Sequence, residues 1–268
     1  MLSRLKARGL LWPVLTLLLA LPLLLGLGTW QLQRKAWKDG LQRQIDLRAT
    51  AAPITWAELD ARFKRNENLE YLRVRLEGTF LHATEVYLYW PLPTGPGWLV
   101  FTLFKPADGE QTLLVNRGWV PDQLRMPEKR AAGQIEGPSV VIGLIRGPET
   151  PNRFTPPNEP ANNIWYWRDL VAMRAASTPQ PGKPRPDQPI VPPPLDLPFA
   201  IDAEAEPANP GGWPKGGATN LRLPNRHLEY AVTWYGLAVT LIGVFLVFAR
   251  GRLNWRDNAA PGRSGGLE

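Results

Sequence analysis

The chain holds two histidines, His82 and His227, and the second stands where a long apolar run begins. Residues 225–234 read NRHLEYAVTW and lead into YGLAVTLIGVFLVFA. On a helix, His227, Tyr230, Ala231 and Trp234 fall at i, i+3, i+4 and i+7 and share a face. A neutral imidazole is a good axial ligand for haem iron, which makes His227 the one metal-ligating candidate. Ala231 would leave room one turn on, and Trp234 could flank a flat macrocycle. Arg226 and Arg34 could pair with propionates, because a guanidinium meets a carboxylate at two points. The same residues also describe an interfacial belt, with His227 lying among Trp and Tyr at a membrane surface. The residues alone leave both readings open.

Other chemistry is poorly supplied. The absence of cysteine removes disulfides, thiolate metal sites and cysteine nucleophiles. Two histidines without cysteine nearly exclude a tetrahedral zinc site. No nucleophile elbow, zinc-protease helix, phosphate loop or dinucleotide fingerprint occurs in the sequence. A Ser-His-Asp triad would need His82 or His227, and neither has such a motif nearby. Glu204 and Glu206 lie beside prolines and are expected to be solvated charges. His82 is expected at the surface. The chain is therefore not expected to be an enzyme, and a net charge of +7 with no nucleic-acid motif implies no nucleic-acid partner.

Two elements must position His227. Leu10–Trp30 and Tyr230–Ala249 are each free of charged residues. At about 1.5 Å rise per residue, roughly 20 residues cross a hydrocarbon core of about 30 Å. Both runs predict membrane-spanning helices, over 10–30 and 228–249. The first is too long for a signal peptide and lacks a small-residue cleavage site after it. Pro13 and Pro22 are tolerable in such a helix. Arg4, Lys6 and Arg8 precede the first span, and Arg250, Arg252, Arg256 and Arg263 follow the second. The stretch between is nearly balanced, with 24 of the 31 basic and 22 of the 24 acidic residues. Basic flanks stay in the cytoplasm while long loops cross regardless of charge. Residues 1–9 and 250–268 are thus expected inside, and 31–227 outside. Arg34, Lys35, Lys38 and Arg43 dissent from that rule. The pattern fits a multi-pass protein of a bacterial inner membrane with a periplasmic domain. Antiparallel packing would bring Trp30, Gln31 and Arg34 toward Asn225, Arg226, His227 and Tyr230.

The first helix is expected to continue through Gln44, with Trp30, Arg34, Trp37 and Leu41 on one face. A short helix is predicted over Ala52–Phe63, with Thr55 and Glu58 as a capping box. Another is predicted at Trp167–Ala175. From Tyr71 the period becomes two, in YLRVRLEGTF, EVYLYW, WLVFTLFKP, QTLLVNRGWV and SVVIGLIRG, and again in LDLPFAIDAEAE. These read as strands of a mainly antiparallel sheet that curls toward a barrel or sandwich. The class is an α+β membrane protein. Residues 177–194 carry eight prolines and no aromatic, and read as a surface insertion, or alternatively a docking segment for a proline-reading partner.

Four motifs together resemble the Surfeit-locus family of cytochrome c oxidase assembly factors. They are GTWQLQRKAWK (Gly28–Lys38), GTF (Gly78–Phe80), VNRGWVP (Val115–Pro121) and NRHLEYAVTWYGLA (Asn225–Ala238). The proline-rich insertion departs from the family pattern. The resemblance implies an oxidase-assembly role, with haem a held transiently for delivery to subunit I. It places the family's histidine on His227 and its tryptophan on Trp234. Implied partners are cytochrome c oxidase subunit I, other assembly factors, haem A synthase and membrane lipid. The competing implication is a scaffold that stabilises an oxidase intermediate without binding cofactor.

Overall fold

The computed structural model describes residues 9–109, 111–177 and 197–257, with side chains to Asn254. The proline-rich stretch from Thr178 onward lies outside the described residues. So do 1–8 and 258–268. The described chain forms two compact units. One joins the residues up to Gln44 with those from Arg222, and the other runs from Ile45 to Leu221.

Helix α1 spans Leu11–Thr50, with its residues up to Gln44 in the first unit, and the last helix of that unit, α4, spans His227–Asp257. Both are long and apolar enough to cross a membrane. Their outward side chains include Trp12 at 77% and Val247 at 75% exposure, which lipid accommodates and water does not. Helix α1 outruns the expected end at Gln44. No proline or glycine follows Gly40 until Pro53, whose ring disfavours helical geometry at Ala52 and so ends the helix. Helix α4 likewise runs past Ala249 through its arginines, since a single Gly251 does not break it.

The second unit opens with α2, Trp56–Lys64. Thr55 caps it, accepting the Glu58 amide at 3.3 Å. The carboxylate of Glu58 turns instead to Arg62, 2.6 Å away, so one half of the expected box is made. The strands are β1 (Arg73–Tyr89), β2 (Gly97–Pro106), β3 (Leu113–Pro121), β4 (Ser139–Arg146), the two-residue β5 (Ile164–Trp165) and β6 (Ala200–Ala203). Helix α3, Leu170–Ser177, lies between β5 and β6. Its start is set by Asp169, whose carboxylate accepts the Ala172 amide at 3.0 Å, so the helix begins later than the expected Trp167.

Strand β1 pairs with β2 and β4, β2 with β3, β3 with β6, and β6 with β4. The five strands close on themselves, so the sheet is a barrel and not a sandwich. The pairing is antiparallel except for β3 with β6 and β1 with β5, which are parallel. The two segments expected at 71–80 and 85–90 are one strand. An irregularity between Leu81 and Val86 lets β1 change direction without leaving the sheet. Gly78 is the corner, paired to Pro106 on one side and Ser139 on the other. A Cβ there would stand 2.1 Å from the Lys105 carbonyl oxygen, so only glycine lets the strands meet.

Alternation along Arg73–Phe80 sends Val74, Leu76 and Phe80 inward, against Phe104, Val115 and Ile201. Helix α2 adds Leu59 to that core, and α3 adds Leu170 and Met173 beside Trp165. Each such side chain contributes about 1.5–3 kcal/mol by leaving water.

Candidate functional site

Covered positions on α1 recur at alternating spacings of three and four: Val14, Leu17, Leu21, Leu24, Gly28, Gln31, Lys35, Lys38 and Gln42. On α4 they are His227, Ala231, Trp234, Ala238, Leu241 and Phe245. This alternation marks the seam, the side on which the two helices meet. Small residues set the approach. Ala231 and Ala238 are 1% and 2% exposed. A Cβ on Gly28 would lie 2.8 Å from the Tyr235 ring. Thr29 donates its hydroxyl to the Leu25 carbonyl at 2.9 Å, so at 3.0 Å it accepts from the Tyr235 hydroxyl.

Beyond the apolar part the seam turns polar and holds an extended segment, Leu223–Asn225. The Gln42 side chain accepts the Leu223 amide at 2.9 Å. Lys38 Nζ donates to the Pro224 carbonyl at 2.5 Å, and Asn225 donates to Asp39 at 2.8 Å. Lys35 closes on Asp39 at 2.6 Å. That ammonium holds the Asp39 carboxyl below its ordinary range, against a smaller opposing effect of desolvation. These contacts deliver the chain to the start of α4, where His227 Nδ1 meets Gln31 Oε1 at 2.6 Å. An amide oxygen accepts, so the neutral ring carries its proton on Nδ1 and keeps the lone pair on Nε2. Among the described residues nothing hydrogen-bonds Nε2. A histidine whose second nitrogen donates to a fixed acceptor is the form that metals take.

The expected site residues are placed as follows. His227 and Gln31 meet, while Asn225 bonds Asp39. Trp234 lies on the seam, facing α1, and Ala231 is covered. Tyr230 is exposed, beside the seam. Arg226 is exposed and pairs with Glu229 at 3.2 Å. Arg34 stacks over the Trp37 ring at 4.1 Å. Trp30 is exposed. The stripe Trp30, Arg34, Trp37 and Leu41 is thus an open face of α1, one position away from the covered one.

The barrel contains a charged cluster that strand alternation does not reveal. Glu85 and Arg130 form a buried two-point ion pair, and Arg117 approaches the same carboxylate at 3.5 Å. Arg117 also donates to the Gly133 carbonyl and, at 2.9 Å, to Asn209. Burial pulls its guanidinium down to about 10, opposed by Glu85. His82 is not an open surface residue. It is half-buried, donates Nε2–H to the Ile135 carbonyl at 2.8 Å and accepts from Arg117 on Nδ1 at 3.3 Å. Glu204, too, is not simply solvated, since it holds Arg73 at 2.6 and 2.7 Å.

Burial, and after it the nearby Arg117 cation, hold the His82 pKa below 6.5, against the bond to the Ile135 carbonyl. The unfolded chain then binds more protons, so stability is complete above about pH 6.5 and falls as pH drops through the folded value. Melting of the detergent-solubilised chain should therefore move to lower temperature between pH 7 and pH 5. His82→Gln should flatten that dependence; an unchanged slope would assign it to other groups.

A family model described as "SURF1 family" matches residues 18–239. Relatives include a SURF1-like protein of Monosiga brevicollis, 36% identical over 96% of this chain and 94% of its own length. Surfeit locus protein 1 of Homo sapiens is 38% identical over 84% of this chain and 74% of its own. A SURF1-like protein of Drosophila melanogaster is 30% identical over 80% and 69%. The chain belongs to the SURF1 family. The matched span takes in the Gly28–Gln31 stretch, the whole barrel and the His227–Trp234 turn. It stops short of the start of α1 and of the end of α4.

Proposed function

We propose that this chain is a cytochrome c oxidase assembly factor that receives haem a at the outer face of a bacterial inner membrane and passes it to subunit I. The carrying observation is the His227–Gln31 bond, which leaves Nε2 free as a ligand at the membrane edge. Haem a is cargo here, so a single imidazole and packing contacts suit a grip that must be released. Ala231 and Trp234 face α1, so the open side of the site carries Tyr230 and Arg226. The exposed Arg226–Glu229 pair is worth well under 1 kcal/mol and leaves the guanidinium free to turn to a propionate. Gln31 acts as a positioning residue by holding the tautomer. Both termini are assigned to the cytoplasm, and a reporter fused at the proline-rich stretch should read as periplasmic.

A second reading has its own support. The open Trp30–Leu41 stripe continues past the span, and aromatic residues with arginine are typical of contact hot spots. On that reading the chain is a scaffold that grips an oxidase intermediate. Cells whose only copy carries His227→Ala separate the two. The carrier predicts a several-fold fall in oxidase haem a at normal levels of the variant. Unchanged oxidase haem would favour the scaffold.

A further inference from the structure

At the end of the helix pair remote from His227, α1 and α4 leave an apolar groove of about 370 Å³. Its walls include Trp12, Pro13 and Leu17 on α1, with Val244, Phe245 and Phe248 on α4. One turn beyond the groove, Arg252 stacks over the Phe248 ring at 5.3 Å. Arg250 and Arg252 are both exposed, and among the described residues no carboxylate pairs with either. The opposite end of α4 differs, since Arg226 there has Glu229. An apolar slot with the unpaired Arg252 guanidinium stacked on its Phe248 wall fits an anion with an apolar body.

We infer that the groove binds an anionic phospholipid, with an acyl chain between Leu17 and Val244 and the phosphate at Arg252. This rests on reading α1 and α4 as membrane spans and is independent of haem. Bilayer geometry supports the occupant, because Arg252 lies just under one turn past Ala249, the end of the apolar stretch, at headgroup depth. A second copy is disfavoured, since it would bring two like charges together.

Native mass spectrometry of the full chain tests it, using an equal mixture of phosphatidylglycerol and phosphatidylcholine with identical acyl chains. Phosphatidylglycerol should be retained about fivefold over phosphatidylcholine, the size expected for one guanidinium–phosphate contact. R252Q should bring the ratio near one, R250Q on the other face of the helix should leave it, and V244W, which fills the slot from its exposed wall, should lower retention of both. Equal retention by the unaltered chain would overturn the inference. So would a preference that survives R252Q, or a dimer that V244W disperses.

Discussion

Glu85→Gln is expected to destabilise the barrel by about 3–5 kcal/mol, the cost of removing one partner from a buried ion pair. The carboxylate is the only acid bonded to Arg117 and Arg130 among the described residues, and all three side chains are buried. An amide of the same shape keeps one acceptor but turns a donor toward a guanidinium. Burial that two charges made tolerable then becomes a penalty. A control marks the scale: the exposed Glu58–Arg62 pair should cost less than about 1 kcal/mol when Glu58 becomes Gln. Urea unfolding followed by tryptophan fluorescence reads both. Equal midpoints for the two variants would show that the cluster is not a keystone of the barrel.

Gly28→Val should separate the helices. The added atoms would enter the Tyr235 ring, which cannot retreat while its hydroxyl is held by Thr29. Overpacking of this kind costs about 1–3 kcal/mol, and a helix pair without a large interface has little reserve against it. A cysteine pair introduced at Leu24 and Ala238, on facing seams, should crosslink in the parent and lose most of its crosslinking once Gly28→Val is added. Gly26→Val is the companion, because nothing lies within 4 Å of a Cβ there and crosslinking should persist. Equal loss from both would place the seam elsewhere.

Much of this is legible in the residues. Two uncharged runs of the right length announce two helices, and antiparallel passage brings Gln31 to His227. Alternation announces strands, and GTF marks a corner once the sheet is known to close. Closure itself is hidden, because it depends on β6, four residues long, bridging β3 and β4. The polar core is hidden for a different reason. In EVYLYW a period of two assigns Glu85 to the outside, yet residues 122–134 cover that face and supply carbonyls to its arginine partners. The covered side of α1 beyond the span also escapes an apolar pattern. Its Lys38, Asp39 and Gln42 bind an extended segment, and hydrogen bonds of that kind leave no hydrophobic period. The aromatic residues beside them mark the open face instead.

The most direct measurement is the optical spectrum of the full-length chain purified in detergent from cells that make haem a. A free Nε2 on His227 predicts haem absorption that His227→Ala largely abolishes and Gln31→Ala weakens, with both variants melting near the parent temperature. A parent chain without haem, or a His227→Ala chain with its haem undiminished, would contradict the account.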